Sequence, residues 1–141
     1  MNNKIKCSFD FDGTLELLPI QEYARELIEK DKVEVWVTTS RFGDDEKYKR
    51  FFFTSTNVDL TNNDLWAVIQ ELGIPKERVH FTDMDDKWRY IKEMGFLWHI
   101  DDDWVENREI LDNTKTLAIS SYGPNWRHKC EKIIKRELER D

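Results

Sequence analysis

Two aspartates, Asp10 and Asp12, stand one residue apart in "DFDGTL", where the apolar run Ile5–Phe9 ends. Another apolar run, Leu97–Ile100, ends in Asp101, Asp102 and Asp103. A third, "VEVWVT", ends in hydroxyls and a cation: Thr38, Thr39, Ser40 and Arg41. Lys87 stands ahead of the second acidic group. Carboxylates that converge repel one another, and each resists ionising alone. A divalent cation relieves that repulsion. Oxygen-only ligands suit Mg²⁺, which takes one or two carboxylates plus a phosphate and keeps several waters. A carboxylate can also attack phosphorus and form an aspartyl-phosphate. A second carboxylate nearby can protonate the leaving group and then deprotonate water. The Thr39 hydroxyl and the Lys87 ammonium suit phosphoryl oxygens and the charge that develops in the transition state. The histidines, His80, His99 and His128, include no pair spaced for zinc.

These residues lie far apart in the chain, so only a fold that gathers strand ends can assemble them. The pattern alternates strand and helix. Ile5–Phe9 reads as a strand. Pro19–Asp31 reads as a helix, with Ile20, Tyr23, Ala24, Leu27 and Ile28 on one stripe and Pro19 at its start. Val33–Thr38 is a strand rich in β-branched residues. Asp64–Leu72 is a helix capped by Asn63 or Asp64 and stopped by Gly73. Strands are expected at Val79–Phe81, Leu97–Ile100 and Thr116–Ser120. Helices are expected at Asp86–Met94, Val105–Leu111 and Pro124–Glu139. Alternation of this kind predicts an α/β three-layer sandwich around a central parallel sheet of about five strands. Its central strands are covered on both faces, which fits core packing for Trp36 and Trp98 and a packed, internal His99. Ligands bind such sheets beyond the carboxyl ends of the strands, where the acids, the hydroxyls and Arg41 stand. Arg41–Asn62 is the least regular stretch, with room for one helix and a loop.

The chain has 141 residues, and residues 1–141 read as a single domain. Its net charge of −7 argues against general nucleic-acid or membrane-surface binding, which calls for a basic face. Cys7 and Cys130 read as free thiols in a reducing compartment. There is no signal-like apolar segment at the start and no run long enough to span a bilayer, so the expected location is the cytoplasm.

"DFDGTL", Asp10 to Leu15, resembles the first motif of the haloacid dehalogenase-like (HAD) superfamily of phosphotransferases: two aspartates one residue apart, then Thr, after an apolar strand. "VWVTTSR" is similar to the second motif, a strand ending in Thr or Ser, with the hydroxyl placed at Thr39. Lys87 is similar to the third motif's lysine, and "LWHIDDD" to the fourth motif's acidic strand end. The motifs stand in the family's order, and the resemblance covers nearly the whole chain.

The resemblance implies a Rossmann-like, HAD-type sheet and a Mg²⁺-dependent phosphomonoester hydrolase. It casts Asp10 as nucleophile and metal ligand. Asp12 becomes the general acid/base, with its backbone carbonyl toward the metal. Gly13 permits the turn, Thr14 braces it, Thr39 binds the phosphoryl group and Lys87 steadies nucleophile and phosphate. Asp101, the first acid after its strand, is the expected direct metal carboxylate. Asp102 would act through water or as an alternative ligand, and Asp103 is read equally as a helix cap. Ser40 and Arg41 are further substrate-binding candidates, although a plain surface arginine is an equal reading. Neither gap between motifs has room for a large cap domain, so the type is capless and the site open. Arg41–Asn62, with Tyr48 and Phe51–Phe53, is the candidate partial lid, although packing on the sheet is the preferred reading of the phenylalanines. The expected partner is a phosphorylated substrate: a small molecule, a nucleotide or a nucleic-acid end. Oligomeric state is left open. The alternatives are a catalytically silent HAD-fold binding or regulatory domain, and a dehalogenase. Asp12 speaks against the second, because dehalogenating relatives lack that acid.

Overall fold

A computed structural model describes residues 5–31, 33–44 and 62–140. Five parallel strands form one sheet in the order β3-β2-β1-β4-β5. They are β1 (Ile5–Phe9), β2 (Val33–Thr39), β3 (Val79–Phe81), β4 (Trp98–Asp101) and β5 (Leu117–Ser120). The helices are α1 (Leu18–Lys30), α2 (Asn63–Leu72), α3 (Lys87–Met94), α4 (Trp104–Asn113) and α5 (Trp126–Leu138). The expected α/β sandwich is therefore the observed one, with element ends shifted by a residue or two. The described residues include no large cap. The proposed lid, with Tyr48 and Phe51–Phe53, lies outside them apart from its ends. No helix among the described residues is long and apolar enough to cross a membrane.

Side chains on a strand alternate between faces, and here the two faces are built differently. Cys7 and Phe9 of β1, Val33, Val35 and Val37 of β2, Trp98 and Ile100 of β4, and Ile119 of β5 join the main apolar core. Ile20, Tyr23, Ala24 and Leu27 of α1, Leu65 and Ile69 of α2, and Cys130 and Ile134 of α5 complete it. Phe9 and Trp98 meet edge to face, ring centres 6.5 Å apart. The other face meets α3 and α4 through a smaller cluster, Ile91, Phe96 and Ile110, with Trp36 and Ala118 packed against it. Trp98 is fully buried, as expected, whereas half-buried Trp36 sends its indole N–H to Glu34 at 2.8 Å.

Helix ends follow ordinary rules. Asp31, Gly73 and Gly95 stop α1, α2 and α3 in the left-handed conformation. Asp103 caps α4, its carboxylate accepting from the amides of Val105 (2.9 Å) and Glu106 (3.3 Å). Cys7 and Cys130 are buried free thiols, each pushed up by burial.

Candidate active site

The strand order reverses between β1 and β4. From β1 the chain leaves toward β2 and β3, and it returns to lay β4 on the other side. A crevice opens at the carboxyl edge at such a point. The amide of Asp10 donates to the carbonyl of Ile100 at 2.8 Å, carrying the β1–β4 ladder one step past β1. Asp10 and Asp101 thereby end as neighbours.

Past Asp10 the chain turns at once. Asp12 (φ −66, ψ 124) and Gly13 (φ 74, ψ 6) form the central pair of a type II turn, whose second position needs φ above zero. Glycine is needed there for a second reason: a Cβ would run into the Asp102 carboxylate. The amide of Leu15 returns to the carbonyl of Asp10 at 3.0 Å, and that of Glu16 to Phe11 at 3.1 Å. Ser121, just past β5, donates to the carbonyl of Gly13 at 3.1 Å. Thr14 does not brace the turn through its hydroxyl, which is buried without a hydrogen-bond partner. Its carbonyl does so instead, accepting from Leu17 at 3.0 Å.

Lys87, the first residue of α3, is almost wholly buried. Its Nζ lies 2.9 Å from Asp10 Oδ1 and 2.6 Å from Asp101 Oδ2. His99 Nε2 is 2.8 Å from the same Asp101 Oδ2, while Asp101 Oδ1 accepts from the amide of Asp103 at 3.0 Å. Burial works against charge on Asp101, but the hydrogen bond from His99 and the Lys87 ammonium outweigh it and hold the carboxyl well below its usual range. Burial also opposes charge on Lys87, and the two aspartates more than offset it. Asp10 goes the other way. Burial pushes it up to about 9 against the pull of Lys87, with the Asp101 charge and a hydrogen bond to Asp102 adding to the rise. These influences favour Lys87 and Asp101 as the ion pair and resist charge on Asp10. Asp10, Asp101 and Asp102 each offer an oxygen within 4.8 Å of the others. This all-oxygen donor set, with one member too destabilised to ionise by itself, fits a hard divalent cation.

The remaining candidates are arranged otherwise. Asp12 is half-exposed, and its carboxylate faces Arg41 across two bonds, Nε–Oδ2 at 2.9 Å and Nη2–Oδ1 at 2.8 Å. The same guanidinium makes a second fork to Asp64, at 2.8 and 2.9 Å, and lies over the Phe11 ring. Hydrogen bonds to Asp64 and then Asp12 raise its pKa further. Arg41 is therefore no plain surface arginine. At the end of β2, Thr38 and Thr39 are fully buried. Thr39 Oγ1 accepts from the amide of Arg41 at 3.2 Å, and Thr38 Oγ1 meets Ser8 Oγ at 2.8 Å. Ser40 is half-buried, and its hydroxyl makes no hydrogen bond among the described residues. The loop after β3 backs this edge, with the amides of Thr82 and Met84 on the carbonyls of Thr39 and Ser40, both at 2.8 Å.

Asp10, Asp101, Asp102 and Lys87 thus come together, while Asp12 and Arg41 form a second group at the rim. Sequence reasoning missed Asp64, which pairs with Arg41 across the fold. It also missed the polar job of Ser8, Thr38 and His99. For Ser8 and His99 a signal existed: each stands two residues before an acid on the same strand, and so shares that acid's face. Comparison of the chain with protein-family models, with curated proteins and with solved structures finds no match in any of the three.

Proposed function

We propose that the chain is a Mg²⁺-dependent phosphomonoester hydrolase acting through an aspartyl-phosphate on Asp10. The observation that carries this reading is Lys87 Nζ, buried and 2.9 Å from Asp10 Oδ1, beside acids that converge within 4.8 Å. The order of the four HAD-like motifs supports it from the sequence side. Asp10, Asp101 and Asp102 would hold the cation, which supplies charge neutralisation for the phosphoryl oxygens. Asp10 loses its proton to solvent, a loss favoured by a bound cation; the ionised Asp10 oxygen then attacks phosphorus and the bond to the ester oxygen breaks. Asp12, once one oxygen is free of Arg41 and has taken a proton from solvent, gives that proton to the leaving oxygen. Asp12 then takes a proton from water as the water's oxygen attacks the phosphoryl group, which frees the Asp10 carboxylate and inorganic phosphate. Lys87 offsets charge on Asp10 and the phosphoryl group throughout. To move protons, Asp12 must release one of its two bonds to Arg41, and a phosphate dianion is a fitting replacement partner for that guanidinium. Thr39, whose oxygen accepts from the Arg41 amide, keeps its hydroxyl proton for a phosphoryl oxygen, and Ser40 stands beside it as a second hydroxyl.

The test is phosphate release from p-nitrophenyl phosphate with Mg²⁺, against Asp10→Asn. Metal-dependent release lost in the variant is the expected result; equal, metal-independent rates in both overturn it. A panel of sugar phosphates, nucleotides and 3′- and 5′-phosphorylated oligonucleotides then identifies the substrate class. The competing reading, a catalytically silent binding or regulatory domain, draws on Asp12, whose two oxygens are both held by Arg41. It gains if Mg²⁺ with beryllium fluoride leaves Asp10 unmodified.

A further inference from the structure

A line of buried polar side chains runs across three strands and ends on Asp101. Thr38 Oγ1 on β2 is 2.8 Å from Ser8 Oγ on β1, and Ser8 Oγ is 2.9 Å from His99 Nδ1 on β4. His99 Nε2 is 2.8 Å from Asp101 Oδ2, which also accepts from Lys87 at 2.6 Å. Ser8, Thr38, His99 and Asp101 are each 0 % exposed. An ionised carboxylate only accepts, so the proton on the near side of the ring sits on Nε2. Nδ1 meets a hydroxyl that can donate as well as accept, so a neutral ring is satisfied on both sides: Ser8 donates to Nδ1 and Thr38 to Ser8, and all the bonds run one way, from Thr38 to Asp101.

The same strands show that the fold does not need these groups for packing. Val37, Phe9 and Trp98, next to Thr38, Ser8 and His99 on the opposite face, are buried and apolar. A hydrocarbon set would avoid the desolvation cost of polar atoms. What a satisfied polar line adds is orientation, since each member has one allowed direction. Here it sets the plane of Asp101. Oδ2 is held by two donors and Oδ1 by the amide of Asp103, so Lys87 is kept between Asp101 and Asp10.

We propose that His99, its Nε2–H set by Asp101 and its ring plane held by Ser8 and Thr38, is a positioning residue that sets the Asp101 carboxylate and, through it, Lys87 and the cation site. The inference rests on the proposed role of Asp101 in that site. The ring belongs to the shell behind metal-holding residues, where loss of a partner costs about 10–100-fold in metal affinity.

Two measurements test it. In the ¹⁵N-labelled protein, long-range ¹H–¹⁵N spectra of His99 should show one protonated nitrogen, Nε2, and Ser8→Ala should leave that proton in place while shifting the Nδ1 resonance, which loses its donor. Mn²⁺ binding, followed by electron paramagnetic resonance, should weaken about 10–100-fold in His99→Asn, whose amide replaces the wrong nitrogen. His99→Gln, whose amide nitrogen falls near Nε2, should restore most of the affinity. A packing role alone would not rank the two amides in that order. A proton on Nδ1 or on both nitrogens overturns the proposal, and so does equal Mn²⁺ affinity in the original, Asn and Gln proteins. If His99 variants fail to fold, Ser8→Ala and the isosteric Thr38→Val carry the same test. A protein that binds no Mn²⁺ would sink the metal reading, while the tautomer would still decide this one.

Discussion

The two faces of the sheet share strands and differ in almost everything else. Toward α1, α2 and α5, successive inward residues are Cys7 and Phe9, Val35 and Val37, Trp98 and Ile100. Toward α3 and α4 the alternate residues are Ser8 and Asp10, Trp36 and Thr38, His99 and Asp101. Midway along, that second face is apolar, with Trp36 against Phe96, ring centres 5.8 Å apart, and Lys6 and Glu34 pack on Trp36 at its amino edge. Toward the crevice it turns polar and stays buried. The first face is stabilised by area removed from water, at roughly 25 cal/mol per Å². The second buries polar and charged groups at a desolvation cost and offsets it by pairing each one. One face stabilises the fold, and the other gathers its buried ionisable groups.

The largest separation between the faces should come from Lys87→Met. It leaves Asp101 buried and charged with only His99 and one amide, so stability to urea should fall by about 3–5 kcal/mol. Metal-dependent phosphate release should vanish in whatever fraction remains folded. Phe9→Ala should cost a similar 3–5 kcal/mol through the cavity it opens, yet leave kcat of the folded protein little changed. A kcat loss in Phe9→Ala that matches that of Lys87→Met would break the division of labour.

The pH dependence sharpens it further. Asp10 has a folded pKa near 9, above its ordinary 3.8. The folded state then holds a proton that the unfolded chain has lost. Metal-free stability should therefore fall as pH rises between those two values, by up to about 1.4 kcal/mol per pH unit from this group. Asp10→Asn removes the slope, since its amide can donate to Asp102 and accept from Lys87. Urea titrations of both proteins from pH 5 to pH 9, pH values chosen to lie roughly within that window, should diverge steadily; parallel curves would show that Asp10 is ionised throughout. The smallest effect is expected at the rim of the polar face. Asp103→Ala removes the cap of α4 and should cost about 1 kcal/mol, with Mn²⁺ affinity lowered only through the amide on Asp101.

Much of this polar edge was legible beforehand, and some of it was misleading. The acids at strand ends, the lysine before the fourth strand and the Asp103 cap follow from local pattern, because strand ends and helix starts are local events. Thr39 shows the limit. It was the expected phosphoryl ligand, and its oxygen also accepts from the Arg41 amide, a second job that local pattern does not announce. Thr38, one residue earlier, shares the face that carries Asp10 but is used up on Ser8. Asp12 was expected beside Asp10, and Arg41 holds it at the rim instead. That pairing needs a partner 29 residues away and a second acid, Asp64, that belongs to another helix. No spacing rule connects such residues.

The sequence by itself determined the alternating elements, the apolar faces and the positions where acids, hydroxyls and a lysine interrupt them. These follow from side-chain period and backbone preference, which act over a few residues. Only the tertiary structure decided which of those groups meet. Strand order put Asp10 beside Asp101, register set His99 opposite Ser8, and the seat of α3 drove Lys87 between two carboxylates. Coulomb and hydrogen-bond energies depend on distances of a few ångströms, and in this chain those distances are set between residues as many as 91 positions apart.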